Sequence, residues 1–188
     1  MDSFFLPLVT ATLAEWGDKT QIFAMLLAMR FGKPMTVLAA VACAAALNAG
    51  ISAFAGSLIA PMIDHRASQL FLALGFLFAA AGAFWPFKDP KTDIARPAGI
   101  FIACFLAFAV LEFGDKTQFL AAGYATLFGT WVFVAVGVAI GVVIGCAPAI
   151  MMGETFRDTV PLKLVRRAIG AVWLLVASIL AINAFLLI

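Results

Sequence analysis

The stretch Glu15-Trp16-Gly17-Asp18-Lys19-Thr20-Gln21 recurs 97 residues later as Glu112-Phe113-Gly114-Asp115-Lys116-Thr117-Gln118. The same offset pairs Ala24 with Ala121, Ala28 with Ala125 and Phe31-Gly32 with Phe128-Gly129, so the similarity extends beyond a short motif. Each copy places two acids and a lysine inside a long apolar run. A duplication of this kind reads as two related halves, each able to carry charge into an apolar environment.

Composition identifies that environment. Of 188 residues, 65% are apolar and 12% charged, with a mean hydropathy of +1.11. Soluble domains carry about a quarter charged residues, so lipid is the solvent here. Nineteen Phe and no polar low-complexity run argue against disorder. A net charge of +2 is too small to suggest a nucleic-acid partner. At about 20 residues per crossing, the apolar runs predict six helices, over residues 4–29, 34–63, 67–85, 97–124, 129–152 and 162–188. Pro34, Pro97 and Pro161 fall at or near helix starts, where a missing N–H costs little. Asp2 stands where a secretory signal would carry Lys or Arg, and the first run continues past any plausible cleavage position, so it reads as a retained helix.

The expected architecture is therefore all-α and integral to the membrane: a single membrane domain over residues 1–188, with six transmembrane helices as two inverted three-helix repeats. Repeat one covers residues 1–87 and repeat two residues 97–188, joined by a connection at 88–96. Three crossings per half make the second half enter from the opposite face. The first, third and fifth connections hold Arg30, Lys33, Lys88, Lys91, Arg96, Arg157, Lys163, Arg166 and Arg167, whereas the second and fourth hold Arg66 alone. That nine-to-one bias predicts cytoplasmic odd connections and both termini outside.

Each motif begins about a dozen residues into its predicted helix, close to the bilayer midplane, where one unpaired Asp or Lys costs about 2.5–3.5 kcal/mol. These charges must pair or bind something. On a continuous helix Glu15, Asp18 and Lys19 share one side, and Glu112, Asp115 and Lys116 repeat the arrangement. Two carboxylate pairs can then face each other as candidate metal ligands. Gly17 and Gly114 permit either close helix approach or local unwinding that frees carbonyl oxygens. Thr20, Thr117, Gln21 and Gln118 add neutral oxygens. Helix glue is the plainer explanation for one motif, but glue does not require two surplus acids in mirror positions.

Four carboxylates and two ammoniums sum to −2, which one divalent cation or two protons would neutralise. Such a site has the logic of an exchanger, since the empty charged state is costly to carry across. Carboxylate, amide, hydroxyl and carbonyl oxygens suit Ca²⁺, Mn²⁺ and Mg²⁺. The motifs contain no His or Cys, which counts against Zn²⁺ or Cu⁺. His65, beside Asp64 and Arg66, reads as a solvated loop residue. Cys43, Cys104 and Cys146 lack CxxC spacing and read as packing residues. Met25, Met29, Met151 and Met152 also read as packing, although a thioether near the acids would favour Mn²⁺ over Ca²⁺.

At these residues the chain resembles the family of small cation/proton exchangers with two Glu-x-Gly-Asp-Lys-Ser/Thr motifs, which includes Golgi manganese and calcium transporters and compact bacterial manganese exporters. Both motifs match in full, and the likeness covers nearly the whole chain. The resemblance implies movement of Mn²⁺, with Ca²⁺ as a second candidate, out of the cytosol in exchange for H⁺. It implies Glu15, Asp18, Glu112 and Asp115 as the cation site, with no enzymatic activity and no resident cofactor. The implied partners are the divalent cation, protons and the lipid bilayer, with room for a homo-oligomer. Trp16 is bulkier than the small aliphatic residue expected at that position. The lack of a leader and of a long central loop resembles the bacterial form, which implies the plasma (inner) membrane.

Two other classes compete. An intramembrane aspartyl protease would use Gly17-Asp18 and Gly114-Asp115 as a dyad sharing a proton, but it leaves both lysines and both glutamates unexplained, because a nearby ammonium favours two ionised acids. A non-transporting membrane scaffold leaves the duplicated acids without a purpose.

Overall fold

Lipid offers no partners to backbone N–H and C=O groups, so apolar runs bounded by Pro, Gly and charge satisfy those groups internally as helices. The computed structural model describes residues 1–94 and 99–186, and every regular element among them is helical. In chain order these are α1 (Asp2–Glu15), α2 (Lys19–Phe31), α3 (Pro34–Ile59) with a 3-10 turn (Ala60–Met62), α4 (His65–Phe84), α5 (Ile100–Glu112), α6 (Lys116–Phe128), α7 (Trp131–Met152), α8 (Glu154–Thr159) and α9 (Leu162–Leu186). Among the described residues four spans are long and apolar enough to cross a membrane: Pro34–Met62, His65–Phe84, Trp131–Met152 and Leu162–Phe185. Arg96, Pro97 at the expected start of the fourth helix, and the last two residues of the sixth lie outside the described residues.

The expectation of uninterrupted helices over residues 4–29 and 97–124 is corrected, because both break at the motif. Trp16 (φ −65, ψ 119) and Gly17 (φ +74) form a turn closed by the Asp18 N–H on the Glu15 carbonyl at 3.1 Å. Phe113 (φ −64, ψ 123) and Gly114 (φ +74) repeat it, with the Asp115 N–H 3.0 Å from the Glu112 carbonyl. These angles are those of a type II turn, whose third residue needs positive φ and hence glycine. Both glycines therefore provide local unwinding, and Gly17 also allows a close approach of α9. The i, i+3, i+4 geometry assumed for each motif does not survive the unwinding.

Packing repeats with the sequence. Along α7, Gly137, Gly141 and Gly145 recur every four residues against the α1 backbone. A Cβ at Gly145 would stand 2.7 Å from Glu15 Cβ and 3.0 Å from the Thr12 carbonyl. Small residues of this kind let helices approach in lipid, where no hydrophobic force drives them together. At the same 97-residue offset α3 carries Ala40, Ala44 and Asn48, all buried. Asn48 Nδ2 donates to the carbonyl of Ala109, the residue matching Thr12, at 3.1 Å. These two crossings use matching positions, with Asn48 standing where the other has Gly145.

The odd connections meet at one end of the bundle. Arg30 pairs with Asp93 at 3.2 Å and Arg157 with Asp89 at 2.9 Å, joining the first and fifth connections to the third. Arg157 lies on α8, a short helix within what reads from sequence as a plain connection.

Candidate cation site

Each turn leaves the carbonyl end of one half-helix facing the amide end of the next, with an aspartate between them at the N-cap. The glutamines hold the turns. Gln21 Oε1 accepts from the Gly17 N–H at 2.9 Å, and Gln118 Oε1 accepts from the Gly114 N–H at 2.7 Å. Gln21 Nε2 also donates to the Gly145 carbonyl at 2.6 Å, in a stretch of α7 loosened by Pro148, which lacks the N–H that would bond the Ile144 carbonyl. The glutamine oxygens expected near the cation thus serve the backbone.

Glu15 and Glu112 end α1 and α5 and are 0% and 2% exposed. The turn brings back the threonine five residues on: Thr20 Oγ1 is 2.5 Å from Glu15 Oε2 and 3.1 Å from Asp18 Oδ2. Thr117 Oγ1 is 3.4 Å from Glu112 Oε1. Two neighbours escaped the sequence reading. Asn48 Nδ2 is 3.4 Å from Glu112 Oε2, and Cys146 Sγ is 3.7 Å from Glu15 Oε2. An amide midway along an apolar 26-residue helix was a visible signal for Asn48; Cys146 carried none. Among the described residues Glu15 Oε1 is buried without a hydrogen-bond partner.

The lysines pair across the halves. Lys116 is buried, with Nζ 2.5 Å from Asp18 Oδ2 and 3.1 Å from Asp115 Oδ2. Lys19 Nζ lies 3.2 Å from Asp115 Oδ1, and its side chain is 38% exposed. Asp18, Asp115, Lys19 and Lys116 thus form one cluster, with each glutamate held by its own threonine. No three His, Cys, Asp or Glu among the described residues stand together as a ligand set for a metal ion. What lies between the two aspartates is the Lys116 ammonium.

A cavity of about 230 Å³, lined by Phe78, Gly82, Trp85 and Phe87, reaches Asp18, Lys19, Asp115 and Lys116 from the end of α4, where the odd connections lie. His65 is exposed at the start of α4, its Nε2 3.2 Å from Gln69 Nε2. Met25 packs with Ile22, Ala149 and Phe156, while Met29, Met151 and Met152 are exposed. Trp16 sets its ring edge against Phe156, centroids 6.0 Å apart. Cys104 is buried in the core, and Cys43 is exposed.

Comparison with known proteins gives a consistent result. The model of the divalent cation/proton antiporter family GDT1 matches residues 3–91 and 100–186. A Vibrio cholerae protein, provisionally named a manganese exporter, is 33% identical over 181 residues, covering 94% of this chain and 89% of its own. A GDT1-like protein of Synechocystis is 27% identical over 180 residues, covering 83% of this chain and 84% of its own. No solved structure matches.

Proposed function

The chain belongs to the GDT1 family of divalent cation/proton antiporters, and on that premise we propose that it exports Mn²⁺ from the cytosol in exchange for protons. Glu15, Asp18, Glu112 and Asp115 are the acids that take up the load. Membership in a transporter family sets the enzyme reading aside, and Lys116 between Asp18 and Asp115 is unlike a dyad that shares one proton.

The observation that carries the reading is that buried ammonium, held by one aspartate from each motif. A place built by both halves and already occupied by one positive charge is one where a cation can be exchanged. With both lysines charged and all four acids ionised, the aspartates and lysines cancel and the two glutamates leave −2, which one divalent cation or two protons bring to zero. An incoming cation displaces Lys116 from Asp18, and the unpartnered Glu15 Oε1 supplies a free acceptor beside it. Mn²⁺ is the first choice of cargo, an ion that carboxylate oxygens suit. The name of the Vibrio cholerae relative supports the same choice; Ca²⁺ is the second candidate.

In this reading α1 with α2, α3, α4, α5 with α6, α7 and α9 make six crossings in two inverted repeats. The recurring motif turns, and the ion pairs that gather the odd connections at one end, support it. The charge bias puts that end in the cytoplasm of a plasma (inner) membrane protein with both termini outside, so the 230 Å³ cavity faces the cytosol.

Purified protein in proteoliposomes tests the proposal. Asp18→Asn, Asp115→Asn, Glu15→Gln and Glu112→Gln should each reduce proton-driven Mn²⁺ flux at least tenfold while insertion and folding persist. Full Mn²⁺ transport by both aspartate variants would show that the motifs are structural. Parallel fluxes of Ca²⁺ and Mg²⁺ select the cargo.

A further inference from the structure

At the end of the bundle that gathers the odd connections, a second cavity of about 750 Å³ opens between the end of α4 and the start of α9. Arg157, Lys163, Arg166 and Arg167 line it, against one acid, Asp89, which is already paired with Arg157. Ile22, Phe84, Phe87, Leu162 and Leu164 supply apolar walls. Four cations against one acid repel a divalent cation, so this space does not suit the cargo. The Arg166 guanidinium lies 4.7 Å over the Phe87 ring, and its Nε is buried with no hydrogen-bond partner among the described residues. A buried donor without an acceptor is unfavourable until an acceptor arrives.

We propose that this cavity binds the phosphate headgroup of an anionic membrane lipid. Guanidinium groups match phosphate oxygens in charge and fork geometry, and basic pockets between helices at a cation-rich membrane boundary bind such headgroups. The apolar walls favour a lipid over a free anion. Of those walls Phe84 and Leu164 are 46% and 67% exposed, so apolar surface is open at the cavity mouth for acyl chains.

The occupant bears on the first motif. Gly17 lines the cavity, and a Cβ on it would stand 2.8 Å from the Leu162 carbonyl and 3.1 Å from Arg166 Cβ, so the first turns of α9 rest on the turn that presents Asp18. Arg166 also borders Asp18 and Lys116 across a gap of about 10 Å³. A headgroup that clamps the start of α9 braces this turn and offsets one positive charge beside the acids.

The test reads lipid binding, independently of transport. Full-length protein in a neutral detergent is titrated with phosphatidylglycerol, phosphatidylcholine or inorganic phosphate while thermal stability and native mass spectra are followed. Phosphatidylglycerol should raise the midpoint and give a one-lipid adduct; the other two should not. The double variant Lys163→Gln/Arg167→Gln, which changes only exposed side chains, should bind phosphatidylglycerol roughly tenfold or more weakly, at about 1 kcal/mol per basic residue. Arg166→Gln should do the same. Unchanged affinity in the double variant, or equal binding of phosphatidylcholine, overturns the proposal. Equal protection by inorganic phosphate overturns the assignment to a lipid.

Discussion

Lys116 reaches across to Asp18 of the other motif at 2.5 Å and is shielded from solvent, whereas Lys19, its counterpart in sequence, reaches Asp115 at 3.2 Å with 38% of its side chain exposed. Two motifs that differ at one position therefore place the same charges unequally in space. Asp115 is held by two ammoniums; Asp18 is held by one, with Thr20 as its second neighbour.

The two lysines should respond differently to removal. Truncating one partner of a buried ion pair costs about 3–5 kcal/mol, while a partly exposed pair contributes about 0–1 kcal/mol. Lys116→Met should lower the thermal midpoint sharply and abolish Mn²⁺ flux, whereas Lys19→Met should fold like the unmodified protein and retain measurable flux. Equal losses in the two variants would contradict the unequal burial.

The motif glycines should also differ. Alanine at either position is forced into the left-handed region, at about 1–2 kcal/mol. Nothing lies within 4 Å of a Cβ at Gly114, but one at Gly17 meets the Leu162 carbonyl at 2.8 Å. Gly114→Ala should remain folded with a modest drop in thermal stability, and Gly17→Ala should be clearly worse. Thermal denaturation in detergent compares them, and a Gly17→Ala protein as stable as Gly114→Ala would rule out the packing of α9 on this turn.

Gly145 sets the position of Glu15 through space. Gly145→Ala drives a methyl into Glu15 Cβ and the Thr12 carbonyl, so transport should fall several-fold while the acids remain in place chemically. Gly50→Ala is the control, because nothing stands within 4 Å of a Cβ there and Ala in a helix is worth about 0.5–1 kcal/mol over Gly. Normal flux through Gly145→Ala would mean that Glu15 tolerates displacement.

The charge count predicts an electroneutral cycle, one Mn²⁺ out for two H⁺ in. Such exchange is driven by ΔpH and is insensitive to voltage, whereas a third proton would contribute about 2.3 kcal/mol per 100 mV. Flux in proteoliposomes at fixed ΔpH, with the potential stepped by K⁺ and valinomycin, distinguishes the two. A reversal point that moves with voltage would rule out the electroneutral scheme.

The membrane class, the duplication and the four acids could be read directly, because hydropathy is a sum over residues and a repeat is visible as identity at one offset. Charge set inside long apolar runs also required the acids and lysines to find one another. How they did so was not legible. The spacing of Glu15, Asp18 and Lys19 implies one face only if the helix continues, and the positive φ at Gly17 breaks that premise within three residues.

The lysine partners across the halves, and the approach of Asn48 and Cys146 to the glutamates, were decided by tertiary structure alone. Asn48 comes to Glu112 from 64 residues away and Cys146 to Glu15 from 131, through the packing of α3 on α5 and of α7 on α1. Those contacts depend on how closely two backbones approach, which the small residues of α3 and α7 permit without naming a partner. The two motifs are all but identical in sequence, differing only at Trp16 and Phe113. It is the packing around them, with Asn48 on one side and Gly145 on the other, that makes their environments unequal.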